Sequence, residues 1–446
     1  MLFEEILTMD FLASIDPTKR QRHFGHIPVF WTWIAQILEG NDSCQKAVAM
    51  IQSWSQANEL PIPASSTSSY CQARQRLSEG FLDAIDSRLR TALDARTRDE
   101  DLWHGLRLRA IDGSSVQLMD TPANQAAFPQ PSSQKPGCGF PVMGFVGLLD
   151  LSHGGWQAVA TGNWKAHDAP LGSKLTQHLS EGDLLLGDRA FCSYELIALA
   201  REKGAHILMR LHQARHRKLD WRRGKKINPY ERIVTWEKPL QQPKSSTMSR
   251  NEWDGLPQSL TLRYIQMSFE DRYGRKQQMV VVTTLIDPAR HDGSELFSLY
   301  ARRWEIELRF RDVKTTLGME RFEVRSPEMA AKTLSMMIIA YNLLRLLMQR
   351  AATQAGKPVR QISFKATLDL ITSSHETFRP HAHKPRKRLR HREEIYEILA
   401  TKILPVRPFR NEPRATKRRP KPLPYLTAPR HTYVPIPHKE GGRKSA

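Results

Sequence analysis

Cysteine is scarce in this chain. Cys44, Cys71, Cys138 and Cys192 are the only four in 446 residues, and none stands in a C-x-x-C pair. Such wide spacing argues against a disulfide framework or a zinc site, and predicts reduced packing residues of a cytosolic protein. Long apolar runs are missing too. No stretch of 18 residues is free of charge, so no membrane-spanning helix is expected. Residues 1–10 hold two glutamates and no basic residue, unlike a secretory leader. Acidic residues are outnumbered: 46 Asp and Glu face 67 Lys and Arg, a formal net charge of +21. That balance favours a polyanionic partner, most simply nucleic acid, with an anionic membrane surface as the competitor. Hydrophobic residues still make up 40% of the chain, enough for a core. At ~150 residues per unit the length suggests roughly three units.

What the chain does have is a dense polar pattern at residues 300–314, YARRWEIELRFRDVK. It predicts one helix. Arg303, Glu307 and Lys314 lie 3, 7 and 14 residues after Tyr300. At ~100° per residue, the four fall within roughly 60° of one another on the helix circumference. Glu307 is therefore a candidate metal ligand, with neighbours that grip phosphates; a surface helix laced with ion pairs is the alternative. Asp292 and Glu295 have capping-box spacing ahead of it, and Gly318 suits a left-handed stop after it. Two aspartates narrow the choice. Residues 106–111 alternate like a strand and end at Asp112-Gly113-Ser114, and the apolar run 184–186 ends at Gly187-Asp188-Arg189. Both acids thus stand where a strand meets a loop, the usual place for ligands on an α/β sheet. Asp120, Asp150, Asp168 and Asp183 are the alternative acids, and Asp183 opens its strand rather than closing it.

DGS at 112–114, GDRAF at 187–191 and Y-x2-R-x3-E-x6-K across 300–314 together resemble the DDE transposases of bacterial insertion sequences, in the group typified by insertion sequence four. The resemblance runs from about residue 29 to 342. It implies Asp112, Asp188 and Glu307 as the catalytic, metal-holding triad. Tyr300, Arg303 and Lys314 would contact DNA near the cut, with Arg189 of the GDRAF motif beside them. The implied fold is a ribonuclease-H-like α/β core. The chemistry suits such a set: in-line attack on a phosphodiester needs an activated water or hydroxyl and a stabilised leaving oxyanion. Two Mg²⁺ ions held by shared carboxylates provide both, and Mn²⁺ can substitute. The partners implied are double-stranded DNA, as transposon ends and as target, and a second copy of the chain on that DNA. The location implied is the bacterial cytoplasm, at the nucleoid. Two other classes remain open, a Mg²⁺-dependent nuclease without strand transfer and a non-catalytic DNA-binding derivative.

Around these motifs the chain divides into 1–100, 101–350 and 351–446. Residues 29–97 predict a helical module, with a Pro/Ser/Thr-rich linker at 60–69 and a third helix over 70–93. Arg74 and Arg76 on that helix are candidates for reading DNA ends, against a dimerisation or packing role. Residues 106–211 predict three strands, a helix, a strand, a helix and a strand, with 122–138 as loop. That order sets Asp112 and Asp188 side by side. Residues 213–286 predict a β-rich insertion, with strands at 232–236, 260–267 and 278–285 and a hairpin turn at 271–274. The resemblance gives the insertion a role in distorting the DNA end and supporting a hairpin intermediate. Its basic run, 215–226, reads as a DNA grip or a solvated loop. His212 and His216 have helical metal-ligand spacing but basic surroundings, which favours a bland role. A buried helix is expected from Ser326 to about 352. From 381 onward, 18 Lys and Arg stand against 5 Asp and Glu. That predicts an extended basic, proline-rich tail with one short helix near 392–403, adding salt-sensitive DNA affinity.

Overall fold

The computed structural model describes residues 2–18, 23–40, 43–163, 168–270, 275–378, 384–405 and 426–433. Ten strands form one sheet. They are β1 (Arg107–Leu118), β2 (Val142–Asp150), β3 (Trp156–Asn163), β4 (Asp183–Gly187), β5 (His206–Arg210), β6 (Lys225–Asn228), β7 (Glu231–Glu237), β8 (Ser259–Glu270), β9 (Lys276–Thr283) and β10 (Arg321–Phe322). The order across the sheet is β3-β2-β1-β4-β5-β9-β8-β7-β6, with β10 pairing on β1. β1, β2 and β3 are antiparallel neighbours; β1, β4 and β5 are parallel. The predicted sequence of elements in the α/β core is present. The strands of residues 213–286 are not a separate layer, because β9 pairs antiparallel with β5 and carries the sheet onward. The hairpin turn expected at 271–274 lies outside the described residues.

Period-two alternation along β1 supplies both faces of the sheet. Leu108, Ala110, Val116 and Leu118 join one cluster with the long helix Pro327–Ala355, whereas Ile111 joins another with helices Asp168–Leu175 and Tyr194–Glu202. The Pro327–Ala355 helix begins as the sequence indicates, with the Ser326 hydroxyl accepting from the Met329 amide and Pro327 in the first turn. It is long and apolar enough to cross a membrane, but 89% of its most apolar window is buried inside the chain, which marks a core helix. Its polar side chains serve the β2–β3 connection. The Asn342 amide accepts from the Trp156 N–H (2.9 Å) and donates to the Trp156 carbonyl (3.0 Å), standing in for a neighbouring strand. Arg345, fully buried, donates to the His153 carbonyl through Nε and Nη2.

Several expectations are corrected. The helix predicted over 70–93 is two, Thr67–Arg76 and Glu79–Asp94, because the Ser78 hydroxyl accepts from Phe81 N–H and caps a new helix. The loop 122–138 begins with a helical turn, Pro122–Ala127, set by Thr121 as cap and Pro122 in the first turn. Asp292 caps Gly293–Tyr300, but the capping box does not close: the Glu295 carboxylate meets His104 Nε2 at 2.6 Å. The tail is not extended at its start. Residues Pro385–Ala400 form a helix that buries Ile395, Tyr396 and Leu399 against the main core, and Arg350 reaches from the long helix to Glu393 (2.7 Å). Residues 406–425 and 434–446 lie outside the described part.

Under the sheet, Arg109 of β1 is buried between two acids. Nη1 meets Asp150 Oδ2 at 2.8 Å and Nε meets Asp183 Oδ1 at 3.1 Å. Charges withdrawn from water this far are stable only as a set. Arg109→Ala leaves Asp183 without its cation and Asp150 with only His153 and the more distant Arg107, and should cost about 3–5 kcal/mol of unfolding free energy. Urea denaturation measures it; a loss under about 1 kcal/mol would mean that the two acids do not depend on Arg109.

Candidate active site

Beyond Gly187 strand β4 ends, while β1 continues. Ile111 pairs with Gly187, so Asp112 and Asp188 follow side by side where β4 stops; Asp112 is not at the end of its strand, as the alternation of 106–111 suggests, but within β1, still paired with Gly147 of β2. Each aspartate is tied to the backbone just after it, Asp112 within β1 and Asp188 in the turn that follows β4. Gly113 N–H donates to Asp112 Oδ1 (2.9 Å), and Ala190 N–H donates to Asp188 Oδ1 (2.7 Å). Gly113 has a further reason to be glycine: a Cβ there would lie 2.7 Å from Asp168 Oδ1, so a fourth carboxylate rests against the β1 backbone beside Asp112.

The stretch 300–314 is not one helix. Gly293–Tyr300 is α-helical, Ala301–Trp304 tightens to 3₁₀, Glu305–Arg311 is α-helical again, and Asp312–Thr316 widens into a π turn. Such irregular turns change the angular register, so the ideal 100° spacing holds only in part. The four side chains nevertheless converge on the sheet edge. Arg303, 7% exposed, places Nη1 3.3 Å from Asp112 Oδ2 and Nη2 3.5 Å from Glu307 Oε1. Lys314, within the π turn, places Nζ 3.4 Å from Ser114 Oγ. Gly318, at φ +79°, then ends the segment in the left-handed region.

Electrostatics ties the three acids together. Burial pushes the Asp112 carboxyl up to about 6, with the charges of Asp188 and Glu307 pushing the same way; the Gly113 amide and Arg303 oppose them. Burial pushes the Tyr300 phenol up to about 12, with Asp188 adding to it and Arg303 and Arg210 opposing. Tyr300, Arg303, Asp112, Asp188 and Glu307 thus share one site. Carboxylate oxygens are the donor type that a hard divalent cation takes, though among the described residues these three do not come within 4.8 Å of one another as the donors of Asp94, Asp150 and His153 do. Of the alternative acids, Asp150 and Asp183 are committed to Arg109. Asp94, Asp150 and His153 also bring donor atoms within 4.8 Å of one another. Arg107 and Arg109 already pair with those acids, so that cluster has its cations built in.

Some neighbours were not legible in sequence. Arg210, at the end of β5, joins Arg189 and His216 around a cleft of about 150 Å³, and none of these three takes part in an ion pair among the described residues. Trp304 and Leu308, 58% and 44% exposed, flank Glu307 on the open side. The basic run at 215–226 divides: Arg215 stacks 3.6 Å over the Trp236 ring, whereas Arg222 and Arg223 are exposed beside Asp220. His212 Nδ1 accepts from Ala214 N–H and serves as a helix cap. Arg74 is half-buried, stacked 3.9 Å over Trp33, while Arg76 is exposed.

Comparison with known proteins adds a family. Residues 103–343, just over half the chain, match the family described as Transposase DDE domain. The chain is 27% identical over 429 residues to Transposase InsG for insertion sequence element IS4 of Escherichia coli (strain K12), covering 96% of this chain and 92% of that protein. It is 26% identical over 140 residues to the Putative transposase InsZ of the same organism, covering 31% and 47%. Among solved structures, the cryo-EM structure of piggyBac transposase synaptic complex with hairpin DNA aligns with 91% of this chain and 85% of that one, at TM-score 0.43 and 12% identity.

Because Asp112 sheds its proton only above about pH 6, divalent-ion binding should weaken as pH falls through that value. Arg303 favours the ionised carboxyl, so Arg303→Gln should move the binding midpoint upward, by about one pH unit. Calorimetric Mn²⁺ titrations across pH test this; an unchanged or lowered midpoint would refute it.

Proposed function

Since the chain belongs to the transposases with a DDE domain, we propose that it excises and inserts an insertion sequence, and that Asp112, Asp188 and Glu307 are its catalytic acids. The observation that carries the assignment is Arg303, one guanidinium spanning Asp112 and Glu307, with Asp188 near enough to raise Asp112. The strand order, three antiparallel strands followed by two parallel ones, supports a ribonuclease-H-like reading of the core. Asp112, Asp188 and Glu307 would hold two Mg²⁺ ions, which activate the attacking oxygen and stabilise the leaving one when bound.

The protein's own groups orient the DNA around those acids. Lys314, on Ser114, and Arg303 are within reach of phosphate oxygens flanking the scissile bond. Tyr300, whose phenol keeps its proton throughout the neutral range, donates a hydrogen bond rather than acting as a base. Arg189 stands at the mouth of the basic cleft, ready for the strand that leaves the site. The module of residues 1–100, through Arg74 and Arg76, would read the inverted-repeat ends. The region 351–446, strongly basic overall, would add affinity that falls with salt. Work on two ends at once calls for a homodimer assembled on DNA, in the bacterial cytoplasm.

Asp188→Ala removes one shared ligand without touching the contacts that hold DNA. Strand cleavage with Mg²⁺ should fall by roughly a thousandfold or more, while binding of an end fragment in a gel-shift assay stays within about threefold. Cleavage retained at wild-type rate would remove Asp188 from the triad. The wild-type protein should join pre-cut 3′ ends to target DNA; cleavage without joining would reclassify it as a nuclease.

A further inference from the structure

The four cysteines are not all isolated, as their spacing in sequence suggests. The helix Cys44–Ala57 opens with Cys44, and Cys71 lies in the first half of Thr67–Arg76. The fold sets their Sγ atoms 3.5 Å apart, across a separation of 27 residues. Both side chains are partly exposed, so a small oxidant can reach them, whereas Cys192 is buried. The corner they occupy has a core of its own. Val29, Ala47, Val48, Ile51, Tyr70 and Ala73 form a buried cluster distinct from the two that line the sheet. Six residues make a small apolar store, the situation in which a covalent tie adds most to local stability.

We propose that Cys44 and Cys71 are a reversible dithiol–disulfide pair that staples helix Cys44–Ala57 to helix Thr67–Arg76, with a small-molecule disulfide such as oxidised glutathione as the two-electron oxidant. Cys44, as its thiolate, attacks one sulfur of the oxidant; a mixed disulfide forms and one small thiolate leaves. Cys71, losing its proton, attacks the Cys44 sulfur, closing the Cys44–Cys71 bond and expelling the second small thiolate. Both cysteines are oxidised, one disulfide molecule is reduced to two thiols, and the two protons released by the cysteines are taken up by the leaving thiolates. The order follows from environment. Burial, together with the hydrogen bond to Cys44, pushes the Cys71 thiol up, and Arg74 one turn on pulls only part of it back. Cys71 is thus the poorer first nucleophile, and it reacts second because the mixed disulfide on Cys44 is held against it. Closing the bond brings the sulfurs from 3.5 Å to a covalent ~2.05 Å, a shift that two surface helices can absorb. It also closes a loop around the Pro/Ser-rich linker, whose Pro63 carbonyl already accepts from Gln52 Nε2 at 2.9 Å.

Full-length protein is equilibrated with oxidised glutathione, digested without reduction and analysed by mass spectrometry. A peptide pair joining Cys44 to Cys71 is expected, present in Cys138→Ser and abolished in Cys44→Ser and Cys71→Ser. Hydrogen exchange of Cys44–Ala57 and Thr67–Arg76 amides should slow at least tenfold on oxidation and recover on adding a dithiol reductant. Stable glutathione adducts on Cys44 or Cys71 without the link would overturn the proposal, as would two thiols that stay free, or a link that leaves exchange unchanged. A wild-type-like circular dichroism spectrum of both serine variants ensures that loss of the link reports the pair, not the fold.

Discussion

Carboxylates repel, and a sheet edge that gathers three of them stands only if a cation is gathered with them. Two unit charges 4 Å apart interact by about 4 kcal/mol at an effective dielectric of 20. Arg303 answers that repulsion with one rigid fork, a nitrogen toward Asp112 and a nitrogen toward Glu307. Lysine would offer a point charge without the two-pronged geometry. The backbone around Arg303 bends to suit this reach. It tightens to 3₁₀ where Arg303 sits and returns to α-helix at Glu305. Even so the compensation is partial: burial first, and the neighbouring acids after it, hold Asp112 well above the ordinary carboxylate range, and Arg303 offsets only part of that. A site left short of positive charge in this way is poised for a divalent cation.

Rigidity beneath the site comes from a second electrostatic set on the same strand. Arg109 precedes Asp112 by three residues on β1, and it locks Asp150 of β2 and Asp183 of β4 to that strand. The parallel register that puts Asp112 beside Asp188 is therefore bolted at its base by buried ion pairs and left open at its tip. Acids at the base are neutralised by arginine; acids at the tip are held together with too little. The same chemical groups serve architecture at one end of a strand and chemistry at the other, and the difference is the number of cations supplied.

The large core also explains why the ends of the chain matter to its middle. Leu2, Phe30, Phe81 and Leu93 near the start and Ile395, Tyr396 and Leu399 near the end are buried in one cluster with β1 and the Pro327–Ala355 helix. That helix is the common wall. Through Asn342 and Arg345 it sets the β2–β3 turn, and through Arg350 it receives the Pro385–Ala400 helix. Elements proposed to grip DNA are thereby fixed relative to the acids.

Much of this was legible one segment at a time. Alternation, caps and turn residues are local properties, and they marked the start of β1, β4, the Ser326 cap and the strand-end position of Asp188, because backbone geometry repeats every two or 3.6 residues whatever the rest of the chain does; the expected end of β1 at Asp112 was wrong, since the strand runs on to Leu118 against β2. Helix breaks at Leu77-Ser78 and within 300–316 were less visible, since 3₁₀ and π turns keep helical composition while changing the angle per residue. Charge was legible as a total and not as a pattern: Arg215 belongs to a tryptophan, and Arg222 and Arg223 to the solvent. The sequence alone thus determined the residue types, most of the elements and the candidate acids. Which acid meets which cation was decided only in three dimensions. Arg303 and Asp112 are 191 residues apart, and Cys44 and Cys71 are 27 apart. Pairing at such distances is selected by the burial of whole elements against one another, a sum over the entire core that no local pattern carries.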